Sequence, residues 1–123
     1  MITRHCLKQQ ISLKHCLRVL EVHSPLSAMI SERITIKTET QLKKFYAFWS
    51  SSLSDSTLRG LPDTEVLNLR NRMATIREIL DVTTLPLIVD GDTGGHKQHF
   101  SLNVAMLERN GEHIYVVGKM VKK

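Results

Sequence analysis

The spacing of apolar side chains changes several times along the chain, and each change predicts an element. Cys6, Leu7, Ile11 and Leu13 recur among Lys, Gln and His at helical steps, which predicts a leading helix within residues 2–14. Residues 17–23 are aliphatic and alternate with charged positions, the pattern of a short strand. Ser24-Pro25 then reads as an N-cap followed by a proline in the first turn, where its missing N–H costs nothing. The helix it opens runs from Leu26 to about Glu32 and buries Leu26, Met29 and Ile30. Residues 34–44 are polar and carry no decisive period.

Phe45, Tyr46, Phe48 and Trp49 hold most of the aromatic content and precede Ser50-Ser51-Ser52. Such a run predicts a strand buried on both sides whose C-terminal end opens into a polar place. Residues 52–64, with Gly60, Pro62 and little apolar content, read as a long loop. Asp63 or Thr64 caps the next helix, 65–80, in which Val66, Leu69, Met73, Ile76 and Leu80 form one apolar face. Residues 83–89 make a third strand with Pro86 near its start. After a loop containing Gly94-Gly95, a helix is expected around Phe100, Val104 and Leu107, stopped by Asn110-Gly111, and residues 113–117 form a fourth strand. The order β-α-β-loop-α-β-α-β implies parallel strands joined by right-handed crossovers. Polar residues gather where the strands end, at His23-Ser24, Ser50-Ser51-Ser52 and Asp90-Gly91-Asp92. In parallel α/β folds ligands bind along that edge.

Composition narrows the class without changing this picture. The 123 residues suit one ordinary domain, and 41% apolar with 24% charged residues is the balance of a water-soluble globular chain. No stretch reaches the roughly 18 apolar residues of a membrane span. Cys6 and Cys16 stand apart with no CxxC, which suits thiols in a reducing compartment and points to the cytoplasm. The net charge of +5 is spread along the chain with no interleaved aromatics, so a nucleic-acid partner is not expected. A solvated basic surface accounts for it, and attraction for a small anionic substrate is the second reading.

Asp90 and Asp92 carry the most pointed chemistry. Two apart at the end of an apolar strand, they face the same side if strand geometry persists through Gly91. Such a pair suits a hard divalent cation, Mg²⁺ or Mn²⁺; equally it suits two solvated aspartates in a tight turn. Ser50-Ser51-Ser52 offers hydroxyl and N–H donors for an anion, or is simply a polar loop. Asp55, Arg59 and Asp63 sit in the long loop, where such groups can close over a charged substrate or stay in solvent. Glu21 and His23 share one strand face, as supporting groups or as structural residues. His96 and His99 lack companions at zinc spacing, and the cysteines lack a neighbouring base.

Together these segments resemble the phosphoenolpyruvate mutase family of the isocitrate lyase superfamily. The match runs through residues 20–28, 48–57, 60–65 and 86–95, and more weakly through 99–100 and 107–111, in family order over about residues 17–117. Its most specific pieces are Asp90-Gly91-Asp92-Thr93-Gly94 after an aliphatic strand and the Trp49-Ser50-Ser51-Ser52 segment. The resemblance implies an α/β fold, part of a (β/α)₈ barrel: a helical lead-in over residues 1–16, then its N-terminal half over 17–123 with about four parallel strands.

It implies conversion of phosphoenolpyruvate to phosphonopyruvate with Mg²⁺. Asp90 and Asp92 then hold the metal, Trp49, Ser51, Ser52 and Leu53 cradle the pyruvyl unit, and Asp63 lies near the transferring phosphoryl group. Where the family carries a glutamate-aspartate-lysine triplet after the fourth strand, this sequence has Gly118, Lys119 and Met120. A full barrel takes about 250 residues, so the expectation is a truncated chain inactive by itself, or one completed by a homo-oligomer or a complementing chain. The alternatives are a lyase or hydrolase acting on a 2-oxo or phosphono acid, and a non-catalytic interaction module.

Overall fold

A computed structural model describes residues 6–93 and the backbone of a strand at 114–117. The elements are α1 (Leu7–Lys14), β1 (Val19–Glu21), α2 (Pro25–Arg33), β2 (Thr35–Lys37), β3 (Leu42–Lys44), β4 (Ala47–Ser50), α3 (Ser52–Leu58), α4 (Leu69–Val82), β5 (Leu87–Asp90) and β6 (Ile114–Val117). The loop at Gly94-Gly95, the helix expected around Phe100–Leu107, His96 and His99, and Gly118 to Met120 lie outside the described residues.

β1, β4, β5 and β6 form one parallel sheet in that spatial order. Every crossover therefore steps to the next strand in the same direction. An open doubly wound sheet reverses direction at a switch point, whereas a barrel does not. The described fold is thus part of a (β/α)₈ barrel wall, as the family resemblance implied, where the strand pattern alone implied only parallel strands. Residues 34–44, which carry no decisive period, pair as an antiparallel hairpin of β2 and β3 outside the sheet.

Strand register sorts the side chains onto two faces. Leu20, Phe48 and Leu87 stand in one row, and Glu21, Trp49 and Ile88 in the next. The first row belongs to the core, which Val22 and Val89 join with Ala28 of α2 and Leu69, Met73, Ile76, Ile79 and Leu80 of α4. The second row opens to the other side, with Glu21 exposed and Trp49 and Ile88 half-buried. The aromatic strand is therefore buried on both sides only at its start, where Ala47 and Phe48 are covered.

Several local expectations are corrected. α2 buries Ala28 and Ser31, while Leu26 and Ile30 are exposed. Small side chains on the buried stripe let α2 approach α4 closely, and apolar size alone assigned the wrong face. Its N-terminus is as expected: the Ser24 hydroxyl accepts from Ser27 N–H at 3.1 Å, and Ser24 N–H donates to Ser27 Oγ at 3.0 Å. Ser24→Ala removes half of this reciprocal cap and should cost about 1 kcal/mol, read as a lower denaturant midpoint with an unchanged slope.

The expected loop at 52–64 begins with α3, whose buried residues are Ser52, Asp55 and Ser56. Spaced three and four apart, they form a buried helix face without an apolar side chain, which an apolar-period search does not detect. α4 starts at Leu69 rather than 65, capped by Asn68, whose Oδ1 accepts from Asn71 N–H at 3.0 Å. Glu65 has φ +61°, a left-handed conformation that interrupts any helix there, and Val66 is exposed. Among the described residues no helix is long and apolar enough to cross a membrane.

Candidate active site

The C-terminal ends of β4 and β5 are held together from below by Arg72. This residue lies in the first turn of α4, between Leu69 and Ile76 on the apolar face, and is fully buried. Its Nε donates to Asp55 Oδ2 at 2.6 Å. Nη2 donates to the Ser50 carbonyl at 3.1 Å and to Ser50 Oγ at 3.0 Å, while Nη1 donates to the Asp90 carbonyl. One guanidinium thus fixes α3 through Asp55, β4 through Ser50 and β5 through Asp90. Its planar fork suits this task, which a flexible ammonium does not perform. Arg59 Nη1 adds a bond to the Asp55 carbonyl at 2.9 Å.

Above this clamp stand the predicted site residues. Ser51 caps α3, its hydroxyl accepting from Ser54 N–H at 3.4 Å. Ser52 is buried at the helix start and donates through Oγ to Asp90 Oδ2 at 3.0 Å, joining the β4 edge to the β5 edge. Ser54 donates to Glu21 at the end of β1, so three consecutive strands of the sheet meet here. Trp49 ends one position earlier on the half-open face.

Asp92 does not reach this place by strand alternation. Its φ is +51°, and its N–H donates to Asp90 Oδ1 at 3.0 Å, so the chain turns left-handed around the Asp90 carboxylate. The turn still sets the two acids beside each other. Burial pushes the Asp92 carboxyl above its ordinary value of 3.8; Ser52 hydrogen bonding opposes this, Asp90 adds to it, Arg72 opposes it, and Asp63 adds to it. The single Ser52 hydroxyl proton has two carboxylates in reach and serves one at a time.

A carboxyl whose folded pKa is raised binds its proton more tightly when folded. Its contribution is fully present below pH 3.8 and is lost as pH rises through the folded value. At neutral pH the ionised group therefore works against the metal-free fold. Asp92→Asn should raise the thermal midpoint of the metal-free chain at pH 7 and leave it nearly unchanged at pH 3. A lower midpoint at pH 7 would contradict this account.

Asp63 is exposed in the turn before α4, close enough for its charge to act on Asp92. Glu65, in the same turn, accepts from Thr93 N–H at 2.7 Å and also from the Thr93 hydroxyl. That contact ties the Asp63 turn to the loop after β5. Leu53 is exposed on α3, so its side chain does not join the cluster; its N–H is one of the first-turn donors that a helix leaves without an intrahelical partner. The structure thus brings Ser52, Asp90 and Asp92 together, leaves Asp63 in an exposed turn where its charge reaches Asp92, sets Ser51 at the α3 cap and Trp49 near the end of β4, and keeps the Leu53 side chain outside.

Arg72 and the buried role of Asp55 escape a reading by motif. The available signals were a charged residue within an apolar helix stripe and a polar stripe at helical spacing. Among the described residues no three His, Cys, Asp or Glu side chains come together as a metal cage. The donors present are oxygen atoms of two adjacent acids, and Mg²⁺ is usually held by one or two carboxylates with water completing its shell. The donor set therefore fits Mg²⁺ and does not fit zinc.

Comparison with known proteins identifies the family and the fold. A family model described as phosphoenolpyruvate phosphomutase matches residues 7–118. Phosphoenolpyruvate phosphomutase of Tetrahymena pyriformis is 33% identical over 88 residues, covering 72% of this chain and 26% of that protein. The crystal structure of phosphoenolpyruvate phosphomutase from Streptomyces platensis subsp. rosaceus superposes with a TM-score of 0.62 at 27% identity, covering 88% of this chain and 34% of that one. Phosphonopyruvate hydrolase in complex with oxalate and Mg²⁺ shares the fold, with a TM-score of 0.62 at 24% identity over 84% of this chain and 34% of that one. The chain spans about a third or less of the length of these relatives.

Proposed function

The chain belongs to the phosphoenolpyruvate phosphomutase family, and on that premise we propose that its strand edge is a Mg²⁺-binding half-site for phosphoenolpyruvate and phosphonopyruvate. The observation that carries this reading is the Ser52 Oγ–Asp90 Oδ2 bond at 3.0 Å, which joins two neighbouring strand ends beside Asp92. Asp90 and Asp92 hold the metal, directly or through water. Bound Mg²⁺ supplies positive charge where negative charge develops on the pyruvyl oxygens. Trp49, Ser51, Ser52 and the Leu53 N–H line the place of the pyruvyl unit, with the serine hydroxyls and first-turn N–H groups as donors. Asp63 stands toward the phosphoryl group as it leaves oxygen for carbon, in a positioning role or as an assisting nucleophile. Arg72 fixes both strand ends and touches no reactant.

The relatives are more than twice as long, and Gly118, Lys119 and Met120 stand where the family resemblance puts an acid and its neighbours. The 123-residue polypeptide by itself is therefore proposed to bind the metal without completing the reaction. Electron paramagnetic resonance with Mn²⁺ tests the first half, with oxalate as a mimic of the pyruvyl unit: a saturable complex that oxalate tightens is expected. Failure to bind Mn²⁺ at millimolar concentration would sink the half-site. Interconversion of phosphoenolpyruvate and phosphonopyruvate, followed by phosphorus NMR with Mg²⁺, tests the second half, and turnover above background would overturn it.

A second reading, a hydrolase or lyase acting on a phosphono or 2-oxo acid, draws on the similarity to phosphonopyruvate hydrolase with its oxalate and Mg²⁺. Release of inorganic phosphate from phosphonopyruvate, without phosphoenolpyruvate appearing, would select it.

A further inference from the structure

The opposite edge of the sheet carries the opposite charge. Arg18 immediately precedes β1 and Tyr46 immediately precedes β4, and Tyr46 N–H donates to the Arg18 carbonyl at 3.0 Å. Lys14 closes α1 and Lys44 closes β3, so two further cations are delivered to this edge by fixed elements. Both ammonium groups address one aromatic ring, Lys14 Nζ at 4.4 Å and Lys44 Nζ at 5.5 Å from the Tyr46 centroid. Two like charges sharing a ring lie within about a Debye length (~8–10 Å) and repel each other. The ring quadrupole offsets only part of that repulsion. Among the described residues, none of Lys14, Arg18 and Lys44 is in an ion pair.

An open cavity of about 570 Å³ lies here, lined by Lys14, Arg18, Gln41 and Tyr46. A second, of about 250 Å³, shares Lys14 and Tyr46 and adds Lys44 and Gln10. Among the described residues no acidic one lines either cavity. The larger volume lies in the range of small-ligand sites, roughly 300–1,000 Å³.

We infer that this edge binds a small phosphate-bearing anion, at a site separate from Asp90 and Asp92. Lysine ammonium groups hold phosphate as point charges, an arginine fork grips two of its oxygens, and the glutamine amides supply neutral donors. Tyr46 serves as the platform that holds the two ammonium groups. With its ring engaged by cations it does not stack a base, and the cations line two adjoining cavities that share Lys14 and Tyr46 and do not extend as a stripe. Both features favour a compact phosphate compound over a nucleic acid.

The test uses the full chain without divalent metal, with inorganic phosphate as probe and its phosphorus resonance as readout. Saturable broadening is expected at millimolar phosphate, unaffected by chloride at matched ionic strength in place of part of the buffer salt. The double variant Lys14→Met/Lys44→Met should weaken binding at least about tenfold, the scale of one lost charged hydrogen bond. Arg77→Met, an exposed cation on α4, should leave it unchanged. Circular dichroism checks that each variant is folded. Glycerol phosphate in place of inorganic phosphate shows whether an ester is held as well as the free ion. Equal binding by parent and double variant would overturn the site, as would competition by chloride at the same ionic strength. A single-stranded oligonucleotide binding more tightly than phosphate, and weakened as much by Arg77→Met as by the lysine changes, would overturn the compact-ligand assignment.

Discussion

Arg72→Met should lower the unfolding free energy of the chain by about 3–5 kcal/mol, the usual cost of breaking a buried ion pair from one side. The substitution keeps the length of the aliphatic stem within the core and deletes the guanidinium. Asp55, only 2% exposed, then keeps a charge without its partner, and the Ser50 and Asp90 carbonyls each lose a donor. Natural domains are stable by only about 5–15 kcal/mol, so this one change removes a large share. The double variant Arg72→Met/Asp55→Leu should recover part of the loss, because no unpaired charge stays buried. Urea unfolding of parent, single and double variants measures the coupling. If Arg72→Met falls within 1 kcal/mol of the parent, the clamp is not what holds the two strand ends.

Asp90→Asn should weaken Mn²⁺ or Mg²⁺ binding by about a hundredfold, about 2.8 kcal/mol at 1.4 kcal/mol per factor of ten. Asparagine keeps one oxygen, which accepts from Asp92 N–H in place of Oδ1, while its amide NH₂ stands where Oδ2 accepted from Ser52 and donates to the Ser52 hydroxyl instead, so the turn at Asp92 survives while the negative charge does not. The loss therefore reports the charge and not the fold. Asp92→Asn should also reduce metal affinity while stabilising the metal-free chain at neutral pH. A residue kept only for structure cannot produce opposite signs in those two measurements. Titration of Mn²⁺ followed by electron paramagnetic resonance, with circular dichroism on each variant, reads the first effect. Unchanged affinity in Asp90→Asn would move the metal away from the β5 end.

Local chemistry explains what could be read ahead of the structure. Ser24-Pro25 announces α2 because a hydroxyl before a proline satisfies the orphan N–H groups of a first turn, which involves neighbours in sequence only. The apolar steps of Leu69, Met73, Ile76 and Leu80 announce α4 for the same reason of periodicity. Where burial is polar, periodicity is silent. Ser52, Asp55 and Ser56 bury a helix face that apolar patterning assigned to a loop. Where small residues pack, size misleads: Ala28 and Ser31 are buried while Leu26 and Ile30 are exposed.

The sequence by itself determined that the strands run parallel, the apolar face of α4 and the polar strand ends at Ser50-Ser51-Ser52 and Asp90-Gly91-Asp92. Each follows from a repeat or a turn signal between near neighbours. Only the tertiary structure decided that Arg72 joins Asp55, Ser50 and Asp90, and that Ser52 bridges to Asp90 across two strands. Those partners are separated by 17 to 38 positions in the chain. A buried charge or hydroxyl is tolerated only when such a partner arrives with the right geometry. No local pattern encodes that meeting, because it exists only once the helices have packed on the sheet.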